Sequence, residues 1–183
     1  MNGCDTISEL TVAKPVLDQP RWYAIQTRAR HEKRVAAELA YKGLAHYLPT
    51  INETHRWSDR RKVVEVPLFP CYAFVSLIPD SHSRLAVLTI PGVLKFVGAH
   101  NSGLLPIPDS QIEDVRLLLK QQIPMDPYPF LKVGQRVRIR SGALNGMEGI
   151  LIGKNGNSRL VVSVEAIERS LAISLQGYDL EPV

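Results

Sequence analysis

The sequence predicts an α+β protein in which helices lie on a sheet, followed by a small all-β barrel. Residues 21–120 alternate β-rich segments with segments that carry apolar residues at helical spacing. Residues 121–130 contain three prolines and no apolar periodicity, which is typical of a semi-rigid linker. Residues 131–183 hold short β segments joined by glycine-rich turns, a pattern typical of a small barrel.

Composition indicates an ordinary globular protein with one unusually basic region. The chain has 183 residues, of which 45% are apolar and 22% charged, and its net charge is +4. Residues 21–62 contain ten Lys or Arg against four acidic residues. Such a local excess is typical of a nucleic-acid-binding surface, although a solvated face with ordinary ion pairs explains it equally well. Residues 1–20 lack the apolar core of a secretory signal, so we expect a flexible tail.

The first strand and the first helix follow this tail. Arg21–Thr27 is rich in aromatic and β-branched residues and predicts a strand. A helix is expected from about His31 to Lys42, ending at Gly43 in a left-handed cap. Arg28, Arg30, Lys33 and Arg34 lie at the start of this helix, where free backbone N–H groups favour anions.

The next segments predict a strand at Tyr47–Asn52 and an exposed hairpin tip at residues 53–62. Trp57 lies among arginines in this tip. There it can stack on a base or a guanidinium, or fold back onto its own hairpin.

An apolar elbow then leads into a central strand at Tyr72–Ile78. Pro67 and Pro70 bracket Leu68 and Phe69, and each proline lacks a backbone donor, so this corner lies outside the middle of a sheet. Rigid aromatic side chains at Phe69 and Tyr72 suit docking of another protein. The residues alone favour the simpler interpretation that both plug the core.

Two further helices and a strand complete the first unit. Asp80–Leu88 predicts a helix capped by Asp80 or Ser81, with Leu85 and Leu88 facing inward. Val93–Val97 predicts a strand. Ser110–Glu113 has the pattern of a capping box that opens the next helix.

The sequence shows no catalytic or metal-binding constellation, and we expect neither an enzyme nor a cofactor. The five histidines lack metal-ligand spacing, and Gly149–Asn155 departs from a phosphate loop in spacing and in its last residue. The two cysteines, Cys4 and Cys71, form no disulfide framework, which fits a reducing cytoplasm. No apolar run is long enough to span a membrane.

Taken together, these segments resemble the NusG family of transcription elongation factors. The resemblance rests on Trp22–Ala24, the helix start at His31–Lys33, Tyr47–Pro49 and Phe69–Tyr72. Gly134–Ile150 is similar to the KOW motif of the family's carboxy-terminal, SH3-like barrel. The resemblance implies a flexible tail at 1–20, a NusG-type amino-terminal domain at 21–120, a linker at 121–130 and a KOW domain at 131–183. Within the family, residues 28–33 and 57–70 look closest to the specialised UpxY and RfaH-like paralogues, which act as operon-restricted antiterminators, commonly for surface polysaccharide genes.

The resemblance implies three interaction sites on a cytoplasmic factor that we expect to be monomeric. The clamp helices of the largest RNA polymerase subunit would bind Phe69, Tyr72 and Phe96. Non-template DNA in the transcription bubble would meet a basic set: Arg28, Arg30, His31, Arg34, Trp57 and Arg60. Ile167 and Arg169 of the barrel would contact ribosomal protein NusE or the Rho factor, although Ile167 could equally be a core residue. The alternative is an RNA-binding or ribosome-associated KOW module.

One residue departs from the family pattern. The family usually has glycine where this chain has Cys71. If that position requires a positive φ angle, cysteine is strained there.

Overall fold

The computed structural model describes residues 19–56, 61–98, 103–128, 130, 134–153, 159–175 and 178–183. Within these residues the helices are α1 (Glu32–Tyr41), α2 (Ser81–Leu88) and α3 (Asp109–Lys120). The strands are β1 (Arg21–Thr27), β2 (Ala45–Tyr47), β3 (Thr50–Arg56), β4 (Arg61–Pro67), β5 (Tyr72–Leu77), β6 (Val93–Phe96), β7 (Met125–Tyr128), β8 (Gln135–Ile139), β9 (Glu148–Ile152), β10 (Arg159–Val164), β11 (Arg169–Ser174) and β12 (Leu180–Pro182).

The first sheet has the order β2-β5-β1-β6, and all its neighbouring strands are antiparallel. Side chains alternate between its two faces, and directly paired residues share a face. Ile25 and Val75 pack with the apolar residues of α1 and α2 on one face. Ala24 and its partner Phe74 pack on the other face with α3. The predicted α+β architecture, with helices laid on a sheet, is confirmed.

A separate two-stranded hairpin extends from the first sheet. Strands β3 and β4 pair from Thr50 opposite Pro67 to Arg56 opposite Arg61. The single strand predicted at Tyr47–Asn52 is therefore wrong, because Tyr47 ends β2 and Thr50 begins β3. Pro49 lies at the break, and its carbonyl accepts the Leu68 N–H at 2.9 Å.

The helix ends agree with the sequence in two cases and differ in a third. Gly43, two residues beyond the end of α1, has a φ of +68°, and Asp80 caps α2 by accepting the Ser83 N–H at 2.8 Å. The capping box predicted at Ser110–Glu113 is wrong, because α3 already begins at Asp109, directly after Pro108.

The prediction that Leu85 and Leu88 face inward is also wrong. They are 61% and 42% exposed, and Val87 is the buried residue of α2.

The second unit is all-β, and its sheet has the strand order β12-β8-β9-β10-β11-β7. Its buried face carries apolar residues from several strands, including Val137, Leu160 and Ile173. Strand β7 pairs with β11, from Ser170 opposite Tyr128 to Ile173 opposite Met125. Part of the segment expected to be a linker is thus an edge strand of this sheet.

Candidate functional site

The two aromatic residues of the predicted elbow lie together on the α3 face of the first sheet. Phe69 is 4% exposed and packs edge-on against Phe74, with ring centroids 6.1 Å apart. Tyr72 begins β5 and is half-buried beside the same core. Its N–H donates to the Phe69 carbonyl at 3.2 Å, which closes the turn between them. Phe69 therefore fills the core, as the simpler interpretation held, while Tyr72 also reaches solvent.

The elbow depends on a residue in the left-handed region of backbone space. Cys71 has a φ of +68°, so the condition under which cysteine is strained is met. The Glu32 carboxylate at the start of α1 accepts the Cys71 N–H at 2.8 Å, and Glu32 is only 5% exposed. On the other side, the Cys71 carbonyl accepts the Thr27 N–H at 2.8 Å. The turn is therefore clamped between α1 and the end of β1.

Two more aromatic residues extend this region, and we name Trp22, Tyr47, Phe69 and Tyr72 the aromatic surface. Tyr47 packs on the Phe74 ring at a centroid distance of 6.3 Å. The guanidinium of Arg116, on α3, lies 5.1 Å from the Trp22 ring centroid and 4.9 Å from that of Tyr47. Such stacking of a cation on ring faces is favourable. Sequence reasoning missed Arg116, because helical spacing indicates which side of α3 is buried but not which rings lie beside it.

The environment of Tyr47 keeps its hydroxyl neutral. Burial raises the pKa of Tyr47 to about 12, while the nearby Arg116 cation opposes this shift and Glu113 adds to it. The phenol therefore presents a neutral hydrogen-bonding group at ordinary pH.

The structure does not place Phe96 with the aromatic surface. In the pairing of β1 with β6, Phe96 stands opposite Ile25, so it lies on the face covered by α1 and α2. It is 3% exposed, and its ring stands edge-on to Tyr23 at a centroid distance of 6.4 Å. The resemblance implied that Phe96 lies beside Phe69 and Tyr72, but strand pairing places the Phe96 ring on the opposite face of the sheet.

The predicted basic residues around the start of α1 lie on the surface. Arg28, Arg30 and Arg34 are exposed, and they make no ion pair with any residue that the structure describes. His31 is half-buried, with Nδ1 3.1 Å from the Ala29 carbonyl oxygen. Arg30 has a φ of +63°, so the turn before the helix is tight. Within the part of the chain that the structure describes, this cluster therefore presents positive charge without a paired acid.

The hairpin beside this cluster is anchored to it by one ion pair. Lys33 donates to Glu65 of β4 at 2.7 Å, and Thr50 of β3 donates to the second oxygen of the same carboxylate at 2.7 Å. The predictions for Trp57 and Arg60 lie outside the described residues.

In the barrel, the two predicted contact residues differ in exposure. Ile167 is 4% exposed and belongs to the core, as its alternative interpretation held, whereas Arg169 is exposed. Glu168 between them has a φ of +50°. The Glu165 N–H donates to the side-chain oxygen of Gln111 on α3 at 3.1 Å, which ties this loop to the first unit.

Two negative findings limit the chemistry of the described ranges. They contain no group of three or more His, Cys, Asp or Glu side chains arranged to hold a metal ion. None of the helices found there has the length and apolar character needed to cross a bilayer.

Comparisons with known proteins agree with this architecture. A family model described as "Transcription termination factor nusG" matches residues 20–116. The transcription termination/antitermination protein NusG of Lactococcus lactis is 29% identical over 176 residues, covering 88% of this chain and 92% of the relative. NusG of Escherichia coli K12 is 27% identical over 173 residues, covering 88% and 95%. A solved structure of the domain interaction in Thermotoga maritima NusG matches with a TM-score of 0.51 and 19% identity, covering 86% of this chain and 94% of that one. These relatives are transcription factors, which agrees with the prediction that the chain is not an enzyme.

Proposed function

Because the chain belongs to the NusG family of transcription termination and antitermination factors, we propose that its aromatic surface binds the clamp helices of the largest RNA polymerase subunit. The observation that carries this proposal is the partly exposed Tyr72, which shares one face of the sheet with Trp22 and Tyr47 and is supported by the buried Phe69. A pair of helices that docks on aromatic anchors gains most of its binding energy from a few such side chains. Phe96 contributes only indirectly, since it is buried on the other face.

The exposed basic cluster supports a second contact, with the non-template DNA strand. Arg28, Arg30 and Arg34 would neutralise phosphates, giving affinity that falls with salt. His31, Trp57 and Arg60 complete the predicted set, and an aromatic side chain among them would stack on an unpaired base.

The barrel would recruit a further factor, NusE or Rho, through the exposed Arg169 and the loop around it. Since Ile167 is buried, the apolar part of this contact would have to come from its neighbours or from a local rearrangement. A tethered second domain raises the effective concentration of its partner at the polymerase. We propose a cytoplasmic, monomeric factor that is operon-restricted in the manner of UpxY and RfaH-like paralogues, with polysaccharide genes as candidate targets.

Single-round transcription by a bacterial RNA polymerase, on a template with pause sites and terminators, tests the polymerase contact. We expect the protein to increase read-through, and Tyr72→Ala to weaken polymerase binding by about 2 kcal/mol, or roughly 30-fold. Tyr41→Ala is the matched control, because Tyr41 is 89% exposed at the far end of α1. The control should behave like wild type.

Equal polymerase affinity of Tyr72→Ala and wild type, with both proteins natively folded, would remove the aromatic surface from the proposal. Tight binding to RNA without any binding to polymerase would instead favour the alternative function as an RNA-binding or ribosome-associated module.

The DNA contact is tested by charge reversal. We expect Arg30→Glu with Arg34→Glu to weaken binding to a paused transcription complex at low salt and to flatten the salt dependence, because two phosphate contacts are lost. Lys42→Glu with Lys120→Glu makes the same change in net charge at exposed positions outside the cluster. If both double variants bind alike, the basic cluster does not contact DNA.

A further inference from the structure

A cleft of about 750 Å³ separates α3 from the barrel, and its charges do not balance. Five of its lining residues are charged: Asp114, Arg136, Glu148, Glu165 and Glu168. Four residues with carboxylates and one with a guanidinium thus line a single cleft in a protein whose net charge is +4. Like charges brought together by docking oppose that docking.

Asp114 is the least favourably placed of these carboxylates. It lies half-buried on α3 where the helix lines the cleft, and no described residue donates a hydrogen bond or forms an ion pair with its side chain. Glu148 of β9 approaches it from the barrel, and Glu113 from its own helix. Glu148 is partly compensated, because Arg138 of β8 donates its Nε–H to it at 2.9 Å. Arg136, Glu165 and Glu168 complete the charged lining.

We propose that the contact between α3 and the barrel is a proton-linked clasp, which holds when Asp114 is neutral and loosens when Asp114 ionises opposite Glu148. Protonation removes the repulsion across the cleft and leaves the Glu165–Gln111 hydrogen bond and the apolar contacts to hold the two units together. Ionisation has the opposite effect and frees the loop at residues 165–169. This clasp is a property of the chain alone and does not depend on polymerase binding.

The direction of the pH dependence follows from burial. Burial, reinforced by Glu148 and Glu113, raises the pKa of Asp114 to about 6 from its ordinary value of 3.8. The docked state therefore holds the proton more tightly than the open state. Docking is strongest below the pKa that Asp114 has in the open state, and it weakens as pH rises through the pKa that Asp114 has in the docked state. Between pH 5 and pH 7.5 the docking equilibrium should fall by up to about tenfold, and by less where solvent screens the charge.

Hydrogen exchange at the Glu165 amide measures this equilibrium in the full chain, since that N–H is donated to Gln111 only across the interface. We expect its protection factor, corrected for intrinsic exchange, to fall several-fold from pH 5 to pH 7.5 in the wild type. In Asp114→Asn and Asp114→Ala, the protection factor should be the same at pH 5 and pH 7.5 and should equal that of the wild type at pH 5. Asp126→Asn, at an exposed barrel residue outside the cleft, should titrate like wild type.

Three results would overturn the proposal. The first is a Glu165 protection factor in the wild type that is the same at both pH values. The second is a protection factor that falls in the Asp114 variants as much as in the wild type. The third is a Glu165 amide that shows no protection at all. None of them bears on transcription, so the failure of this inference is distinguishable from failure of the proposed function.

Discussion

Cys71 shows how a single backbone angle determines the position of the aromatic surface. A left-handed φ at this residue turns the chain from the proline-bracketed elbow into β5, so that Phe69 and Tyr72 reach the same face. An L-residue with a side chain pays about 1–2 kcal/mol for this conformation. The surrounding hydrogen bonds to Glu32 and Thr27 hold it in place. Strain at this position persists because the turn is fixed from both sides.

We expect Cys71→Gly to stabilise the protein by roughly 0.5–1 kcal/mol. Glycine relieves the left-handed strain, and this gain exceeds the greater entropy that glycine gives to the unfolded chain. Chemical denaturation at neutral pH under reducing conditions measures the difference. Cys71→Ala is the control, because alanine removes the thiol but keeps the strain, so it should show no gain. If the two variants are equally stable, the backbone at this position is not strained.

At the residue scale, the sequence predicted that a positive φ angle at Cys71 would be strained, but it did not predict that the angle is positive. The angle follows from the turn between Phe69 and Tyr72 and from the Glu32 carboxylate 39 positions earlier. From the sequence alone, Glu32 is only an acidic residue in the first turn of a helix, where a negative charge is favourable. Its burial and its contact with Cys71 are long-range features, which local pattern does not contain.

At the scale of elements, the Glu65 carboxylate attaches the β3–β4 hairpin to α1. Glu65 receives hydrogen bonds from both Lys33 and Thr50, so it joins the helix to both strands. The hydrogen bond from Lys33, followed by that from Thr50, lowers the pKa of Glu65 below its ordinary value of 4.5. This attachment orients the hairpin beside the basic cluster that we propose for DNA.

We expect the Lys33–Glu65 attachment to be lost in acid. A carboxyl whose pKa is lowered in the folded state contributes stability at pH values above its unfolded-state pKa. This contribution disappears as pH falls through its folded-state pKa. Glu65→Gln should therefore have a lower melting temperature than wild type at pH 7, and the difference should shrink towards zero at pH 3. Glu38→Gln, on α1, makes the same change of charge outside this attachment and is the comparison variant. A difference that is the same at both pH values would show that the ionised carboxylate is not what stabilises the hairpin.

Strand alternation explains which element predictions held. β1 matches its predicted bounds, because a segment rich in aromatic and β-branched residues is typical of a strand. The assignment of Phe96 required the register as well. Pairing of Phe96 with Ile25 places it on the α1 face, whereas Phe74 pairs with Ala24 on the other. Register is determined by contacts between strands that are distant in sequence, so the sequence alone did not assign the face.

For the whole molecule, the order of the two units was predictable and their contact was not. Glycine-rich turns with short β segments identified the barrel, since few architectures combine them. The cleft between Asp114 and Glu148 joins residues that share no local pattern. The prolines at 124, 127 and 129 and the lack of apolar periodicity suggested a semi-rigid linker, because proline favours extended conformations. An edge strand tolerates such residues, and β7 lies at the edge of its sheet.

The position of β7 predicts where the barrel begins as a folding unit. A fragment of residues 122–183 should be more stable than one of residues 131–183 by about 1 kcal/mol or more, a difference of roughly 4–8 °C in melting temperature. The longer fragment keeps the pairing of β7 with β11 and the packing of Met125 on the core, both of which cover otherwise exposed parts of a small barrel. Replacing residues 125–128 by a Gly-Ser segment of the same length in the longer fragment separates the effect of the strand from that of chain length. If the substituted and the native fragments melt together, residues 121–130 behave as the linker that their prolines suggested, and the barrel is complete without β7.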